Sequence, residues 1–381
     1  MNNTRAVTQR NADEGKQTPM QRLWSRRVSL PLVRFVEGIV LRRQMERLYL
    51  VFGGHIFFQT LRTGVQLDLF TLLAREGPMT RQQIATRLGL DEQPVRIVIL
   101  GLTVCGLLRK RGAQYSNSYL ASALLVTDSP RKITAYVELQ HRAMYKGLYW
   151  MLESVREYRN VGLKEFPGNE ATLYERLAHN PEVEQIFQDA MQELSVQANA
   201  DMARFVDMTG VRHLVDVGGG DGTNIIAIAR QWPHLRATVF DSPTVCEIAK
   251  RNIASSGMAN RLTAVPGECF ADPFPRDADC LMFCHFFTIW GEAKDRELLR
   301  KCFASLPSGG KAIIFNMMQH DDETGPLSAA VGSPYFLSLA TGTGMLYTWS
   351  EYESWMRAAG FSNVTRHRLL RDHGLIVGRK P

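Results

Sequence analysis

The sequence predicts an α/β protein in which a Rossmann-like, mostly parallel sheet is preceded by a helical, winged-helix-like region. Three observations predict it. After His213, short apolar runs alternate with helical stretches. The first of those runs ends in a glycine-rich turn, Asp216-Val-Gly-Gly-Gly-Asp-Gly222. Upstream, between Pro78 and Tyr119, the pattern is helix, glycine turn, second helix and two short strands.

At 381 residues and 43.0 kDa the chain is long for one domain and suits two. Hydrophobic residues at 45% and charged residues at 22% are ordinary globular values. The net charge of +7 is concentrated near the N-terminus, in Arg5, Arg10, Lys16, Arg22, Arg26, Arg27, Arg34, Arg42, Arg43 and Arg47. No stacking aromatics are interleaved with these residues, so they are read as a solvated basic arm and no nucleic-acid partner is expected. Cys105, Cys246, Cys269, Cys280, Cys284 and Cys302 form no CxxC pair and lie mostly in apolar runs, as reduced core thiols do. No apolar run reaches the roughly 18 residues of a membrane span, and the first twenty residues carry no signal-like core. The expectation is a soluble, cytoplasmic protein without a membrane partner.

Residues 1–20 are rich in Asn, Gln, Thr and charge, and are expected to be a disordered basic tail. From Gln21 to Leu73 apolar residues recur at helical spacing, as in Phe57, Phe58, Leu61, Val65, Leu67, Leu69 and Phe70. So wide an apolar face calls for a partner. The helix-turn-helix stretch allows two readings, a DNA-binding regulator or a structural and dimerisation module. The second is favoured because an enzyme-like half follows. Ile133 to Met208 reads as helices, and Thr209-Gly-Val as a break that closes a first region at residue 208. In 209–381 the candidate strands are Leu214–Val217, Arg236–Phe240, Leu262–Val265, Cys280–Cys284 and Lys311–Asn316, then a helix at Trp349–Ala359 and a last strand near Gly374–Gly378.

Glycines where a strand stops and a helix begins permit positive φ and close approach of a ligand to the backbone, and ligands of such sheets bind at the carboxyl ends of strands. Asp216 and Asp221 at this turn would repel a pyrophosphate and favour the cationic methionine end of S-adenosylmethionine. Asp241, about twenty residues beyond the glycines, stands where an acid accepts ribose hydroxyls. It also suits a helix N-terminus, with Pro243 at the first helical position; the two roles are compatible.

With these motifs in order, the sequence resembles the class I S-adenosylmethionine-dependent methyltransferases of the plant and bacterial small-molecule O-methyltransferase type, over roughly Phe57 to Gly378. Asp216–Gly222 matches the glycine-rich motif, Phe240-Asp-Ser-Pro the ribose motif, and Gly267-Glu-Cys-Phe270 the motif whose acid and aromatic flank adenine. Leu306-Pro-Ser-Gly-Gly-Lys matches the turn before the fifth strand, and Phe187-Gln-Asp-Ala-Met191 with Ser195 the helical segment that reaches over the cofactor. The resemblance implies a dimerisation and substrate-capping region over 21–208, a catalytic domain over 209–381, S-adenosylmethionine as cofactor, a homodimer and a small-molecule substrate. It implies cofactor contacts by Asp216, Gly218, Gly220, Asp241, Ser242, Glu268, Cys269, Phe270, Cys284, Met191 and Ser195. Glu268 stands where the family more often has Asp.

Removing a hydroxyl proton while the oxygen lies in line with the methyl group calls for a neutral histidine. The family carries it in a His-Asp-Trp string after the fourth strand. Here the string is Cys284-His-Phe-Phe-Thr-Ile-Trp290, and Thr288, at the base position, cannot take that proton at neutral pH. His285 is either a displaced base, one helical turn away on the same face if this stretch is helical, or a hydrogen-bonded polar residue at the strand end. The family's supporting acid, in a Glu-Arg-Thr string, is also missing: the segment reads Gly344-Met-Leu-Tyr-Thr-Trp-Ser. His141 and Tyr145 at i, i+4, with Arg142 beside them, and Asn316 at the end of the fifth strand are candidate substrate contacts. His141 or Arg142 could hold a carboxylate or simply lie on a helix surface. No compact metal-ligand spacing is present, and no metal is expected. The expected reaction is O-methylation of a secondary metabolite. C-methylation of an aromatic or α-keto acid precursor, a relative that binds the cofactor without transferring methyl, and a DNA-binding regulator are the alternatives.

Overall fold

The computed structural model describes residues 31–370 and 372–381; the tail expected over 1–20 lies outside the described residues. The chain separates into two units, one up to Leu61 and one from Arg62 onward. The first contains the helix Pro31–Phe52 and the start of the helix Gly54–Gln66. Val40, Leu48, Tyr49 and Phe52 are exposed along the first of these helices, more apolar surface than a lone helix keeps in water. Among the described residues no helix is long and apolar enough to cross a membrane.

The second unit opens on the winged-helix element. Strands β1 (Met79–Thr80), β2 (Leu108–Arg111) and β3 (Gln114–Asn117) pair in the order β1-β3-β2 around the helices Arg81–Leu88 and Glu92–Val104. Local chemistry dictates the boundaries. Thr80 and Gln83 form a reciprocal capping box, and Gly89 in the left-handed region ends the first helix. The second helix exposes Ile97, Leu100 and Val104, an apolar row unlike a base-reading surface.

Residues 134–205 build a helical layer around Leu139, Ala143, Leu163, Leu173, Phe187 and Leu339. Its first helix is interrupted by a π-helical turn at Gln140–Met144, and a second π turn occupies Phe336–Ala340. The long helix Pro181–Phe205 then runs from this layer onto the sheet: Val183, Phe187 and Ala190 pack in the helical layer, Ala198, Met202 and Ala203 in the sheet's core.

The sheet has seven strands in the order β6-β5-β4-β7-β8-β10-β9: β4 (His213–Val217), β5 (Arg236–Asp241), β6 (Leu262–Pro266), β7 (Cys280–Cys284), β8 (Lys311–Met317), β9 (Ser362–Arg368) and β10 (His373–Arg379). The first five in that order are parallel; β10 runs antiparallel to both neighbours. The five predicted strands and the helix Trp349–Ala359 occur with no end shifted by more than one residue, since parallel strands buried on both faces are read as apolar runs. Strand β9 was not anticipated. Its sequence, Ser-Asn-Val-Thr-Arg-His-Arg, is largely polar because it lies at the sheet edge. Side-chain alternation divides the sheet into two cores. Leu214, Val239, Met282, Ile313, Phe315 and Leu375 pack under the long helix, and Val215, Phe240, Phe283, Ile314 and Ile376 pack on the other face. Of the cysteines, Cys246, Cys280, Cys284 and Cys302 are buried and Cys269 is half-buried; Cys105 is exposed, so it is not a core thiol.

Candidate active site

The crossover of strand order at β4 places the carboxyl ends of β4, β5 and β7 side by side, where the glycine turn, Asp241 and Cys284 emerge. Gly218 and Gly220 adopt φ values of 69° and 58°. A Cβ on Gly218 would lie 2.3 Å from the Phe286 ring, whereas one on Gly220 would meet nothing within 4 Å. The turn is thus packed on one side and open on the other. Gly220 donates its N–H to Asp241 Oδ2 at 3.0 Å, and Ser242 donates to Oδ1 at 2.7 Å. A carboxylate has about four lone-pair positions, so Asp241 keeps capacity for two further donors. Burial raises its pKa.

Asp216 lies beneath the turn at 0% exposure. Asn224 donates to its Oδ2 at 3.1 Å, while Oδ1 has no partner. Burial first, then the charges of Asp241 and Asp221, push its pKa up to about 7. Burial and this carboxyl likewise hold the Cys284 thiol well above its ordinary value. A buried acid beneath an open glycine turn suits a ligand that brings positive charge, as a sulfonium with an α-amino group does. The described residues in this region therefore fit S-adenosylmethionine.

After β6, the Glu268 carboxylate folds back on its own turn. It accepts the Phe270 N–H at 3.1 Å and the Ala271 N–H at 2.6 Å. Its backbone N–H in turn donates to Asp272 at 2.8 Å. Cys269 is half-buried, and Lys301 holds its carbonyl at 2.6 Å. The Phe270 ring meets Trp290 edge-on at 5.3 Å, and Lys294 sits over both rings. The Trp290 indole nitrogen is buried without a partner. On the long helix, Met191 and Ser195 are half-buried between the stretch that packs in the helical layer and the stretch that packs on the sheet.

The segment after Cys284 is not helical. His285 takes a left-handed φ of 53°, its N–H donates to the Phe315 carbonyl at 2.7 Å, and Phe287–Thr288 forms a turn. His285 and Thr288 therefore do not share a helix face. Thr288 is 2% exposed, and its hydroxyl donates to the His285 carbonyl at 3.2 Å. The His285 ring packs against Phe315 at 5.0 Å and His373 at 5.1 Å. Burial and His373 push its pKa down to about 3, which keeps the imidazole neutral. His373, on the last strand, carried no signal in the sequence; it comes to His285 only because β10 inserts beside β8.

The other predicted substrate contacts fare differently. Asn316 points into the opposite core: it is 0% exposed and donates to the Tyr352 hydroxyl at 3.1 Å. Alternation along β8 puts it on the face away from Phe315 and His285. His141 lies in the π turn Gln140–Met144, and Tyr145 begins the α-helical stretch that follows it. Tyr145 is exposed. Arg142 is paired with Glu182 at 2.6 Å. His141 is half-buried, and burial followed by the Arg62 charge lowers its pKa. Among the described residues no group of three His, Cys, Asp or Glu side chains could hold a metal ion.

The chain matches the family model of the O-methyltransferase domain over residues 150–362 and that of the O-methyltransferase dimerisation domain over residues 49–127. The dimerisation match covers the winged-helix stretch. It is 36% identical to an L-tyrosine C(3)-methyltransferase of Streptomyces lavendulae, over 88% of this chain and 93% of that protein. It is 34% identical to a 3-hydroxy-5-methyl-1-naphthoate 3-O-methyltransferase of Streptomyces sahachiroi, over 84% and 91%. The crystal structure of the S-adenosylmethionine-dependent methyltransferase SibL superposes with a TM-score of 0.79 at 35% identity, over 88% of this chain and 99% of that one. Human N-acetylserotonin methyltransferase in complex with S-adenosylmethionine shares the fold, with a TM-score of 0.76 at 24% identity, over 88% and 97%.

Proposed function

The chain belongs to the S-adenosylmethionine-dependent O-methyltransferase family and is a methyltransferase of small molecules, and from that premise we propose that it methylates a ring carbon of a small phenol rather than the phenolic oxygen. The observation that carries this reading is Thr288. The family's base position holds a buried hydroxyl tied to a backbone carbonyl, so no group there can strip a hydroxyl proton ahead of attack by oxygen. The likeness to a tyrosine C(3)-methyltransferase supports the same direction.

When bound, S-adenosylmethionine supplies an electrophilic methyl group. Gly218 and Gly220 leave the backbone open to the cofactor, Asp241 takes the two ribose hydroxyls on its remaining lone pairs, and Phe270 with Trp290 flanks the adenine. Asp216 and Cys284 underlie the turn; Ser242, Glu268 and Cys269 hold the loops around the nucleoside; Met191 and Ser195 close over the methyl end. His285, neutral and held at the end of β7, accepts the hydrogen bond of the acceptor's phenolic hydroxyl. That bond would draw the hydroxyl proton toward nitrogen and raise electron density at the ortho carbon; the new carbon–methyl bond would form as the methyl–sulfur bond breaks with its electron pair on sulfur. The hydroxyl proton would stay with the acceptor, and the ring proton would pass to water, restoring aromaticity. Two copies of the chain would cover the apolar faces of the N-terminal helices and of the helix Glu92–Val104.

The test is product analysis with methyl-13C-labelled cofactor and L-tyrosine or a hydroxynaphthoate as acceptor. A labelled methyl on ring carbon supports the proposal. A labelled methyl ether, as the naphthoate O-methyltransferase would make, overturns it.

A further inference from the structure

The backbone of His285 is fixed from two sides. The residue follows Cys284, which lies opposite Phe315 in the parallel pair of β7 and β8. Its N–H donates to the Phe315 carbonyl at 2.7 Å, and its own carbonyl accepts the Thr288 hydroxyl at 3.2 Å. These bonds hold a left-handed φ of 53°. A residue with a side chain keeps such a conformation where its surroundings over-determine it, and such outliers cluster at functional sites.

The ring is held separately. Antiparallel register sets His373 opposite Met317 and Leu375 opposite Phe315, so His373 and Phe315 are diagonal neighbours on one face of the sheet, within reach of each other. Their rings lie 25° from parallel at 5.3 Å. The His285 imidazole stands across both, at 70° and 5.0 Å from Phe315 and at 85° and 5.1 Å from His373, a tilted geometry that ring pairs prefer. The three centroids form an almost equilateral triangle. Phe315 is 0% and His373 9% exposed, whereas His285 is half-buried, so two rings set in the core back the third. His373 is itself anchored in the turn before β10: its N–H donates to the Leu370 carbonyl at 3.2 Å, and its carbonyl accepts the Leu369 N–H at 2.9 Å. Burial first, then His373, lowers the His285 pKa, and no other titratable or charged group figures among these influences.

We propose that His373 is a positioning residue for methyl transfer, whose ring, together with Phe315, covers the His285 imidazole and fixes it in one orientation. This rests on the reading that His285 accepts the hydrogen bond of the acceptor's hydroxyl. A neutral imidazole offers one acceptor nitrogen, and its direction sets where the acceptor ring lies against the methyl group, an alignment in which a misplacement of about 1 Å costs about 10²-fold. Phe315 alone would leave the imidazole free to swing about a single contact; a second ring, nearly perpendicular to it, leaves one seat.

The first test needs no acceptor. Full-length chain carrying 13C-labelled histidine and bound S-adenosylhomocysteine is followed by NMR from about pH 8 to about pH 5, the His285 signal being the one lost in His285→Gln. In the wild type that signal should stay fixed. In His373→Ala it should move with pH, because loss of the ring opens His285 to water and lifts the penalty on its charged form. His373→Phe, which restores a ring, should return it to fixed behaviour. In turnover with L-tyrosine, the alanine variant should lose about ten- to hundredfold in kcat with the KM for S-adenosylmethionine kept, and the phenylalanine variant should recover most of that loss. Should His373→Ala fail to bind S-adenosylhomocysteine and so prove misfolded, His373→Leu takes its place, since it fills volume without a flat ring. A His285 signal that stays fixed in the folded variant, or a kcat within about twofold of wild type, overturns the positioning role. A His285→Gln protein with wild-type kcat would overturn the reading beneath it. Activity lost in His285→Gln but kept in His373→Ala would overturn the positioning role alone, so the two failures are distinguishable.

Discussion

Replacing Gly220 by Ala separates folding from cofactor binding, because the new methyl would project into open space while its backbone holds φ at 58°. The left-handed conformation costs a non-glycine residue about 1–2 kcal/mol, and no protein atom adds overlap. For a chain of this size that lowers the melting temperature by only about 1–2.5 °C. The space the methyl enters is the open side of the turn, where the proposed cofactor approaches the backbone. Displacing a ligand by a fraction of an ångström from tight contacts costs about 1.4–3 kcal/mol, a roughly ten- to hundredfold weaker Kd. Gly218→Ala is the contrast: the same φ penalty is joined by a 2.3 Å approach to Phe286, and overpacking adds about 1–3 kcal/mol. Calorimetric titration with S-adenosylhomocysteine and thermal melts of both variants check this. A Gly220→Ala protein that binds S-adenosylhomocysteine as the wild type does would refute the placement of the cofactor on that side of the turn.

Asp241→Asn replaces a carboxylate that accepts two backbone N–H groups with an amide that has one acceptor oxygen, and should weaken S-adenosylhomocysteine binding by about 1–3 kcal/mol; titration measures it. His285→Gln should lower kcat by about 10²–10⁴ with cofactor affinity kept. The depressed pKa of His285 also means that the unfolded state binds a proton below about 6.5 that the folded state refuses down to about 3. Stability from this group is present above pH 6.5 and falls as pH drops toward 3, so the glutamine variant should lose less stability on acidification, as read by denaturant unfolding at several pH values. Asp295 is 0% exposed, neither of its oxygens has a partner, and burial with the Glu292 charge pushes its pKa up to about 9. The unfolded carboxyl ionises near 3.8, so the folded state loses up to about 1.4 kcal/mol per pH unit from there to pH 9. The stability advantage of Asp295→Asn should therefore widen with pH over that window and level off above it.

The sequence by itself determined the sheet domain, the winged-helix stretch and the methyl donor, because each rests on local chemistry. Buried parallel strands are continuous apolar runs, glycines mark where a strand must turn against a ligand, and Thr80 with Gln83 announces a helix start. It also showed that the usual base is absent, since that needed only Thr288 to be read in its string. What only the tertiary structure decided was orientation. Asn316 and Phe315 are neighbours in sequence, yet alternation sends one into the far core and the other against His285. A π turn over Gln140–Met144, invisible in residue type, interrupts the helix that carries His141. Strand β9 is polar because an edge strand needs little core, and so it left no apolar trace. His285 and His373 come from distant segments, and their meeting depends on strand order, which no spacing along the chain encodes.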